Sequence, residues 1–445
     1  MNTKYIPYAI IALLLVIIST LVGYLFSPHM QLMLSAPHTE EVAINIDSNN
    51  PFPGYNQMMD DHCKTMPQMR GCEPYVKYWE TQGSTDISEI KETSDISFLE
   101  TDVSTLVRAK KVEVVELKDG DTYTMEVTQI AKEIGNDTLA MLAYNGSIPG
   151  PVLKAPAGSK VTLRFINSVD GLETTLHSHG LRGDYTMDGV PIDMMGTQKI
   201  MQTGESFDYE LVFPDTGIFW YHPHVREDMQ QELGLAGNFL VTPRNADFYN
   251  PVNAEQTLIL DDILIENGKI APISAEFANY ILMGRFGNTM LVNGETNFEM
   301  RAKTGEVKRL YLTNVSNTRV YDFQIPGVQM KLVGGDIGKY ERETFIDSVI
   351  IAPAERYIVE VYFPKAGKYE LKNITPESEY TLGDIVVSDE QIETSYEKEF
   401  QNLRVNQDVI SDIDIFREYF SKAPDTSITL DMDMGGMDMM GMMMQ

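Results

Sequence analysis

The chain has 445 residues, a length that corresponds to about three domains of ordinary size. Its 35 Lys and Arg residues stand against 65 Asp and Glu residues, and the formal net charge of −30 argues against nucleic acid or an anionic membrane surface as a partner. Hydrophobic residues make up 43% of the sequence, which is enough for folded cores and indicates that most of the chain is globular.

An uncharged, mostly apolar run of 22 residues, 5–26, lies near the amino terminus and is long enough to cross a bilayer as a helix. A cleaved signal peptide has a shorter apolar core, of about 7–15 residues, so we expect an uncleaved transmembrane anchor. Lys4 precedes the run, and the next Lys or Arg is Lys64. The positive-inside rule therefore predicts a cytoplasmic tip of residues 1–4 and an extracytoplasmic bulk, periplasmic or at the cell surface.

Residues 27–110 are predicted to form a spacer and linker, rich in polar residues and methionine. This segment contains the two cysteines of the chain, which outside the cytoplasm are expected to form a disulfide. The alternative is a secondary Cu(I) site, because thiolates and thioethers are soft ligands and four of them recur here at every third position. Those residues are Cys63, Met66, Met69 and Cys72.

Strand-like alternation of apolar and polar residues begins near Lys111 and is clearest at residues 160–166 and 207–213. Turn sequences rich in Gly, Pro and Asn separate these runs. Short strands with frequent turns are typical of a β-sandwich or barrel, so we expect a first β-domain over residues 111–243.

A second run of the same texture follows, with strand-like segments at residues 257–264 and 307–312. Its Leu-Val-Asn-Gly sequence at 291–294 is similar to Ala-Tyr-Asn-Gly at 143–146, which indicates a second, related β-domain over residues 244–390. Residues 391–445 are expected to form a partly helical linker, the first strand of a truncated third domain and a Met-rich tail.

Four of the seven histidines form two His-x-His pairs, His177 with His179 and His222 with His224. Residues i and i+2 of an extended strand point to the same face, so each pair directs two imidazoles the same way. Imidazole suits copper, zinc, iron and nickel, and the four side chains are therefore predicted metal ligands. No histidine follows His224, which suggests that the site is only half present.

The motifs around these histidines resemble the first domain of the multicopper oxidase family, of laccase-like or copper-tolerance type. In chain order the similar segments are YNGSIPGP (144–151), HSHG (177–180), MDGVP (187–191), FWYHPH (219–224) and GLAGNFLV (234–241). The second β-domain resembles the family more loosely, through LVNG (291–294) and APAERY (352–357). Several motifs in one order make the resemblance specific.

The resemblance implies an all-β fold of tandem cupredoxin-like Greek-key β-sandwiches and a copper-dependent oxidoreductase with dioxygen as acceptor. In the family, a type 1 copper passes electrons to a trinuclear cluster that reduces dioxygen to water. By motif position, His177 would bind the type 2 copper, and His179, His222 and His224 would bind the type 3 pair.

Three neighbours of the histidines have alternative interpretations. Asp188, in the MDGVP loop, would either steer protons or close a turn, and the turn is the simpler role. Trp220 and Tyr221 are expected to be core and wall residues rather than electron carriers.

The sequence departs from the family pattern beyond its second domain. No cysteine follows Cys72, so the thiolate ligand of a type 1 copper site is missing, and the third-domain histidine motifs are missing as well. We therefore expect a half-site for the type 2 and type 3 coppers and no oxidase activity from this chain alone. Three explanations stay open: a truncated chain, a separate partner chain that carries the third domain, or a natural two-domain copper-binding protein.

The Met-rich tail is the other candidate for secondary Cu(I) binding, since thioethers bind Cu(I). Its methionines include Met432, Met434, Met437, Met439 and Met440. The alternative is a compositionally biased, flexible end. In the complete enzyme the reductant would be a phenol-like compound or a metal ion such as Cu(I), and the methionine content favours Cu(I). The other class of function is non-catalytic copper handling.

Overall fold

The computed structural model describes residues 101–271, 273, 284–376 and 378–427. The expected membrane anchor, most of the spacer, the pair Cys63 and Cys72 with its neighbouring methionines, and the Met-rich tail lie outside these residues. Within the described part of the chain, no helix is both long and apolar enough to span a membrane.

The described residues confirm the predicted all-β class, and the first nine strands form a sandwich of two sheets. One sheet has four strands, in the order β3 (Asp137–Tyr144), β2 (Thr122–Ile134), β5 (Lys160–Asn167) and β7 (Ser206–Val212). The other has five, in the order β1 (Val114–Glu116), β4 (Val152–Pro156), β9 (Gly237–Thr242), β8 (Gly217–His222) and β6 (His177–His179). His177 and His179 therefore lie on β6 at one edge of this sheet, and His222 ends the neighbouring strand β8, with His224 two residues beyond it.

The remaining strands form a second sandwich and one short hairpin. Its six-stranded sheet runs β13 (Thr289–Val292), β10 (Ala254–Ile263), β15 (Val307–Asn314), β20 (Arg356–Tyr362), β17 (Gln329–Gly335) and β18 (Gly338–Ile346). Its five-stranded sheet runs β14 (Phe298–Thr304), β22 (Glu379–Gln391), β21 (Gly367–Ile374), β16 (Tyr321–Gln324) and β19 (Ser348–Ile351). The hairpin pairs β11 (Ile265–Glu266) with β12 (Lys269–Ile270).

Each sandwich encloses its own apolar core, as the alternation in the sequence requires. In β5, Val161, Leu163 and Phe165 are buried while the intervening side chains are more exposed, which confirms the alternation seen at residues 160–166. Equivalent inward-facing residues of β15 and β20, such as Leu310 and Val359, build the second core. Burial of these side chains is the main stabilising contribution to both sandwiches.

The two sandwiches also pack against each other through apolar side chains. Ile218 and Leu240 of the first sandwich belong to one buried cluster with Tyr311, Val333 and Ile358 of the second. Three short α-helices complete the described chain: α1 (Glu227–Glu232), α2 (Glu397–Gln401) and α3 (Gln407–Asp414). The last two confirm that the charged segment after residue 390 is partly helical.

Candidate metal centre

The strand register brings the two His-x-His pairs together. Strands β6 and β8 are antiparallel neighbours in which His177 lies opposite His222 and His179 lies opposite Trp220. His224 follows β8 by two residues, and its ring centroid is 5.2 Å from that of His177. One ring nitrogen each of His177, His179 and His222 lies within 4.8 Å of the others. The four imidazoles therefore converge on one small volume.

Backbone carbonyls fix the orientation of two of these rings. The Nδ1 of His177 is 2.7 Å from the carbonyl oxygen of Asp188, and the Nδ1 of His222 is 2.8 Å from that of Pro223. A carbonyl oxygen only accepts, so each Nδ1 donates its hydrogen and the Nε2 of the same ring keeps a free lone pair. The Nε2 of His222 lies 3.3 Å from the Nδ1 of His179. Such hydrogen bonds set which ring nitrogen can bind a metal.

The surroundings keep the imidazoles of His179 and His222 neutral. Burial lowers the pKa of His222 well below its usual range. Burial, followed by the nearby positive charge of Arg356, lowers the pKa of His179 to about 4. At neutral pH both rings are therefore unprotonated, which is the form that binds a metal ion.

The donor set fits copper. The Nδ1 of His224 is buried and has no hydrogen-bond partner among the described residues, so a bound cation would satisfy a nitrogen that otherwise carries a desolvation cost. Neutral imidazoles suit copper, and the converging group includes no thiolate that would mark a type 1 site. His177, His179, His222 and His224 are the residues that could hold the metal.

A cavity of about 530 Å³ opens in front of the four rings. Its lining includes Glu227 and Asp228 of α1, which place acidic side chains beside the imidazoles. The second sandwich contributes Arg285, Asn317 and Ala354 to the same lining. Sequence reasoning missed these three residues, and only the APAERY motif, which contains Ala354, offered a signal for one of them.

Two models of the multicopper oxidase family match this chain, over residues 125–246 and 220–383. Together they span more than half of the sequence and include all four histidines. The chain belongs to the multicopper oxidase family. Copper is the metal that this family uses, which agrees with the donor set of the site.

Curated relatives match about half of this multicopper oxidase chain. Multicopper oxidase mco of Staphylococcus haemolyticus is 28% identical over 240 residues, which cover 53% of this chain and 51% of the relative. Copper resistance protein A of Escherichia coli is 25% identical over 287 residues, 54% of this chain and 46% of that protein. The chain thus spans about half the length of the curated relatives that it matches.

A solved multi-copper oxidase has the same fold over the matched region. The crystal structure from Pseudomonas thermotolerans superimposes with a TM-score of 0.55 and 30% sequence identity, over 62% of this chain and 65% of that one. The described β-sandwiches are accordingly of the cupredoxin-like kind found in this family.

The neighbours of the histidines in this multicopper oxidase chain have structural roles that are now visible. Asp188 ends a 3-10 turn, and its carboxylate also lies 3.4 Å from the Nδ1 of His177. Trp220 is 2% exposed and stacks on His222 with ring centroids 4.1 Å apart. Tyr221 is fully buried and donates a hydrogen bond to the carbonyl oxygen of Pro151. The prediction that Trp220 and Tyr221 are core residues is confirmed.

Proposed function

We propose that this chain supplies the four-histidine half of a copper cluster to a multicopper oxidase that oxidises a small reductant with dioxygen as acceptor. The observation that carries the proposal is the convergence of His177, His179 and His222 within 4.8 Å, with His224 beside them. Copper bound there would supply the redox centre at which dioxygen is reduced to water. Backbone carbonyls orient the rings of His177 and His222, and burial keeps His179 and His222 unprotonated.

Within this proposal the histidines have different roles. His177 binds the type 2 copper, and His179, His222 and His224 bind the type 3 pair. The close approach of His179 and His222, whose ring nitrogens lie 3.3 Å apart, supports their assignment to the same copper pair.

The proposed organisation is a cupredoxin domain at residues 111–243, a second at 244–390 and a linker with a Met-rich tail at 391–445. Strands β1 to β9 fall within residues 114–242, and β10 to β22 fall within 254–391, which supports this division. A membrane anchor at residues 5–26 and an extracytoplasmic location complete the proposal, on the strength of the apolar run and its flanking charges.

The proposed reductant is Cu(I) or a phenol-like compound. A relative named copper resistance protein A and the many methionines of this chain favour Cu(I). Secondary Cu(I) sites at the Cys63–Cys72 segment and in the tail belong to the same proposal.

A second candidate is non-catalytic copper binding, or one half of a two-chain oxidase. The observation that favours it is the absence of any cysteine after Cys72 in the sequence, since a type 1 copper needs a thiolate ligand in its own domain. Under this candidate the histidine site binds copper but receives no electrons within the chain.

The first experiment titrates the metal-free, full-length chain with Cu(II) and follows binding by electron paramagnetic resonance. We expect nitrogen hyperfine structure from imidazole ligands, and an affinity that falls by about 10-fold or more in His222→Ala. His38→Ala is the matched control, because His38 lies outside both pairs. Equal binding by wild type and His222→Ala would overturn the proposed site.

The second experiment measures oxygen uptake by the copper-loaded chain with Cu(I) and, separately, with a phenol. We expect copper binding without sustained oxygen uptake, because the sequence carries no type 1 thiolate. Sustained uptake, or an intense blue thiolate-to-copper absorption band, would show that this chain is a complete oxidase and would overturn the half-site.

A further inference from the structure

We propose that Arg356 is a positioning residue through which the second sandwich holds the HSHG turn of the copper site in place. The inference rests on the proposed function only for the identity of the metal, copper. Its structural core is a contact between the sandwiches beside His179.

Arg356 begins strand β20 of the second sandwich, but its side chain leaves that sandwich. The side chain is 4% exposed, and its Nε donates a hydrogen bond to the carbonyl oxygen of Ile218, 3.3 Å away in the first sandwich. Ile218 is the second residue of β8, the strand that ends at His222. The guanidinium therefore reaches the strand that carries the second histidine pair.

The other contacts of Arg356 attach it firmly to its own sandwich. Its backbone N–H donates to the Oδ1 of Asp336 at 2.9 Å, and the same carboxylate oxygen lies 3.3 Å from Nη1. Nη1 also donates to the carbonyl oxygen of Ala354 at 2.8 Å. Because the planar guanidinium is fixed at several points, it presents its remaining Nη2 at a defined position.

That remaining nitrogen packs directly against the turn after His179. Gly180 has a φ of +78°, and a Cβ atom built on it would lie only 2.5 Å from the Nη2 of Arg356. The glycine of the HSHG motif thus serves two purposes: it adopts the left-handed conformation, and it leaves room for the guanidinium. Gly180, the neighbour of the proposed ligand His179, is therefore packed against Arg356, which lies 176 positions later in the chain.

The charge of Arg356 and its fixed position would have opposite effects on copper affinity, so substitutions can distinguish between them. A cation near a metal site repels the metal ion, so loss of the charge alone would strengthen copper binding. Loss of the fixed fork would let the HSHG turn and the ring of His179 move, and would weaken binding. We expect position to dominate, so that Arg356→Lys and Arg356→Met both bind Cu(II) about 10-fold more weakly than wild type.

The copper experiment uses the full-length chain and its paramagnetic resonance spectrum as a readout of ligand geometry. Arg309→Met is the matched control, because Arg309 is equally buried but pairs with Glu360 inside the second sandwich. We expect both Arg356 variants to change the affinity and the spectrum, while folded Arg309→Met changes neither. Tighter binding by Arg356→Met, or wild-type spectra from both Arg356 variants, would overturn the proposal.

A second measurement needs no metal and separates this inference from the proposed function. In the metal-free chain, Gly180→Ala is expected to lower the urea unfolding midpoint more in the wild-type background than in the Arg356→Met background, where the opposing nitrogen is gone. Equal losses in the two backgrounds would overturn the contact between Arg356 and the turn. Absence of Cu(II) binding by the wild type, combined with unequal losses, would overturn the copper site while leaving the structural contact established.

Discussion

Gly189→Ala is expected to disturb the copper site through the backbone. Gly189 follows Asp188, whose carbonyl oxygen accepts the hydrogen bond from His177, and it has a φ of +80°. A Cβ atom on Gly189 would lie 1.8 Å from the carbonyl oxygen of Leu176 and 2.8 Å from the backbone nitrogen of His177. Both neighbours are backbone atoms, so the MDGVP loop and the start of β6 must separate to admit a methyl group.

Gly204 provides the matched control. Its φ of +79° is almost the same, and a Cβ atom there would meet no atom within 4 Å. Gly204→Ala therefore measures the conformational cost alone, about 1–2 kcal/mol. Gly189→Ala adds an overpacking cost of about 1–3 kcal/mol, because the backbone must move to remove the overlap with the new Cβ atom. The total loss of unfolding free energy in Gly189→Ala is therefore about 2–5 kcal/mol.

The assay is urea unfolding of the two variants and the wild type, followed by tryptophan fluorescence, with Cu(II) titration of each folded protein. We expect Gly189→Ala to lose at least about 1 kcal/mol more stability than Gly204→Ala. We also expect only Gly189→Ala to bind copper about 10–100-fold more weakly, because only it displaces a partner of His177. Equal stability losses, or wild-type copper affinity in Gly189→Ala, would refute this reasoning.

Three further predictions concern stability, each measured by urea unfolding. Lys331→Met should lower the free energy of unfolding by about 3 kcal/mol, because it removes a fully buried cation 2.8 Å from the carboxylate of Glu360. A loss below about 1 kcal/mol would contradict a buried ion pair. Asp261→Asn should stabilise the protein at pH 8, and the gain should shrink towards pH 5. Burial and neighbouring carboxylates raise the pKa of Asp261, so the folded state binds a proton that the unfolded state has lost. The stability of the wild type therefore falls as the pH rises, and the asparagine variant escapes this loss. A pH-independent effect would be inconsistent with this cause. Tyr221→Phe should cost about 1–3 kcal/mol by leaving the carbonyl oxygen of Pro151 without its donor, and an unchanged midpoint would speak against that bond.

Local chemistry explains why so much of the site was predictable. The i, i+2 spacing within HSH places two imidazoles on one side of strand β6, whereas only His222 of HPH lies in strand β8. The alternation at residues 160–166 likewise predicts one buried face, and the strand Lys160–Asn167 has it. These features depend on neighbours in the chain, so the sequence alone contains them.

The burial of charged side chains on both faces of a strand could not be predicted from local spacing. Strand β15 begins Val-Lys-Arg-Leu, and its two adjacent cations would be expected to meet solvent, yet Lys308 and Arg309 are both buried. Lys308 pairs with the nearby Glu306, whereas Arg309 pairs with Glu360 of the neighbouring strand β20. Such compensation is invisible in a sequence pattern, because it depends on which strands become neighbours.

By itself, the sequence determined the family, the all-β class and the identity of the four candidate ligands, since these follow from motifs and short-range periodicity. Only the tertiary structure decided that His177 lies opposite His222, and that Arg356 of the second sandwich packs on the turn after His179. Strand register and packing between sandwiches join residues far apart in the chain, and the free energy that selects them comes from the whole core rather than from any one segment.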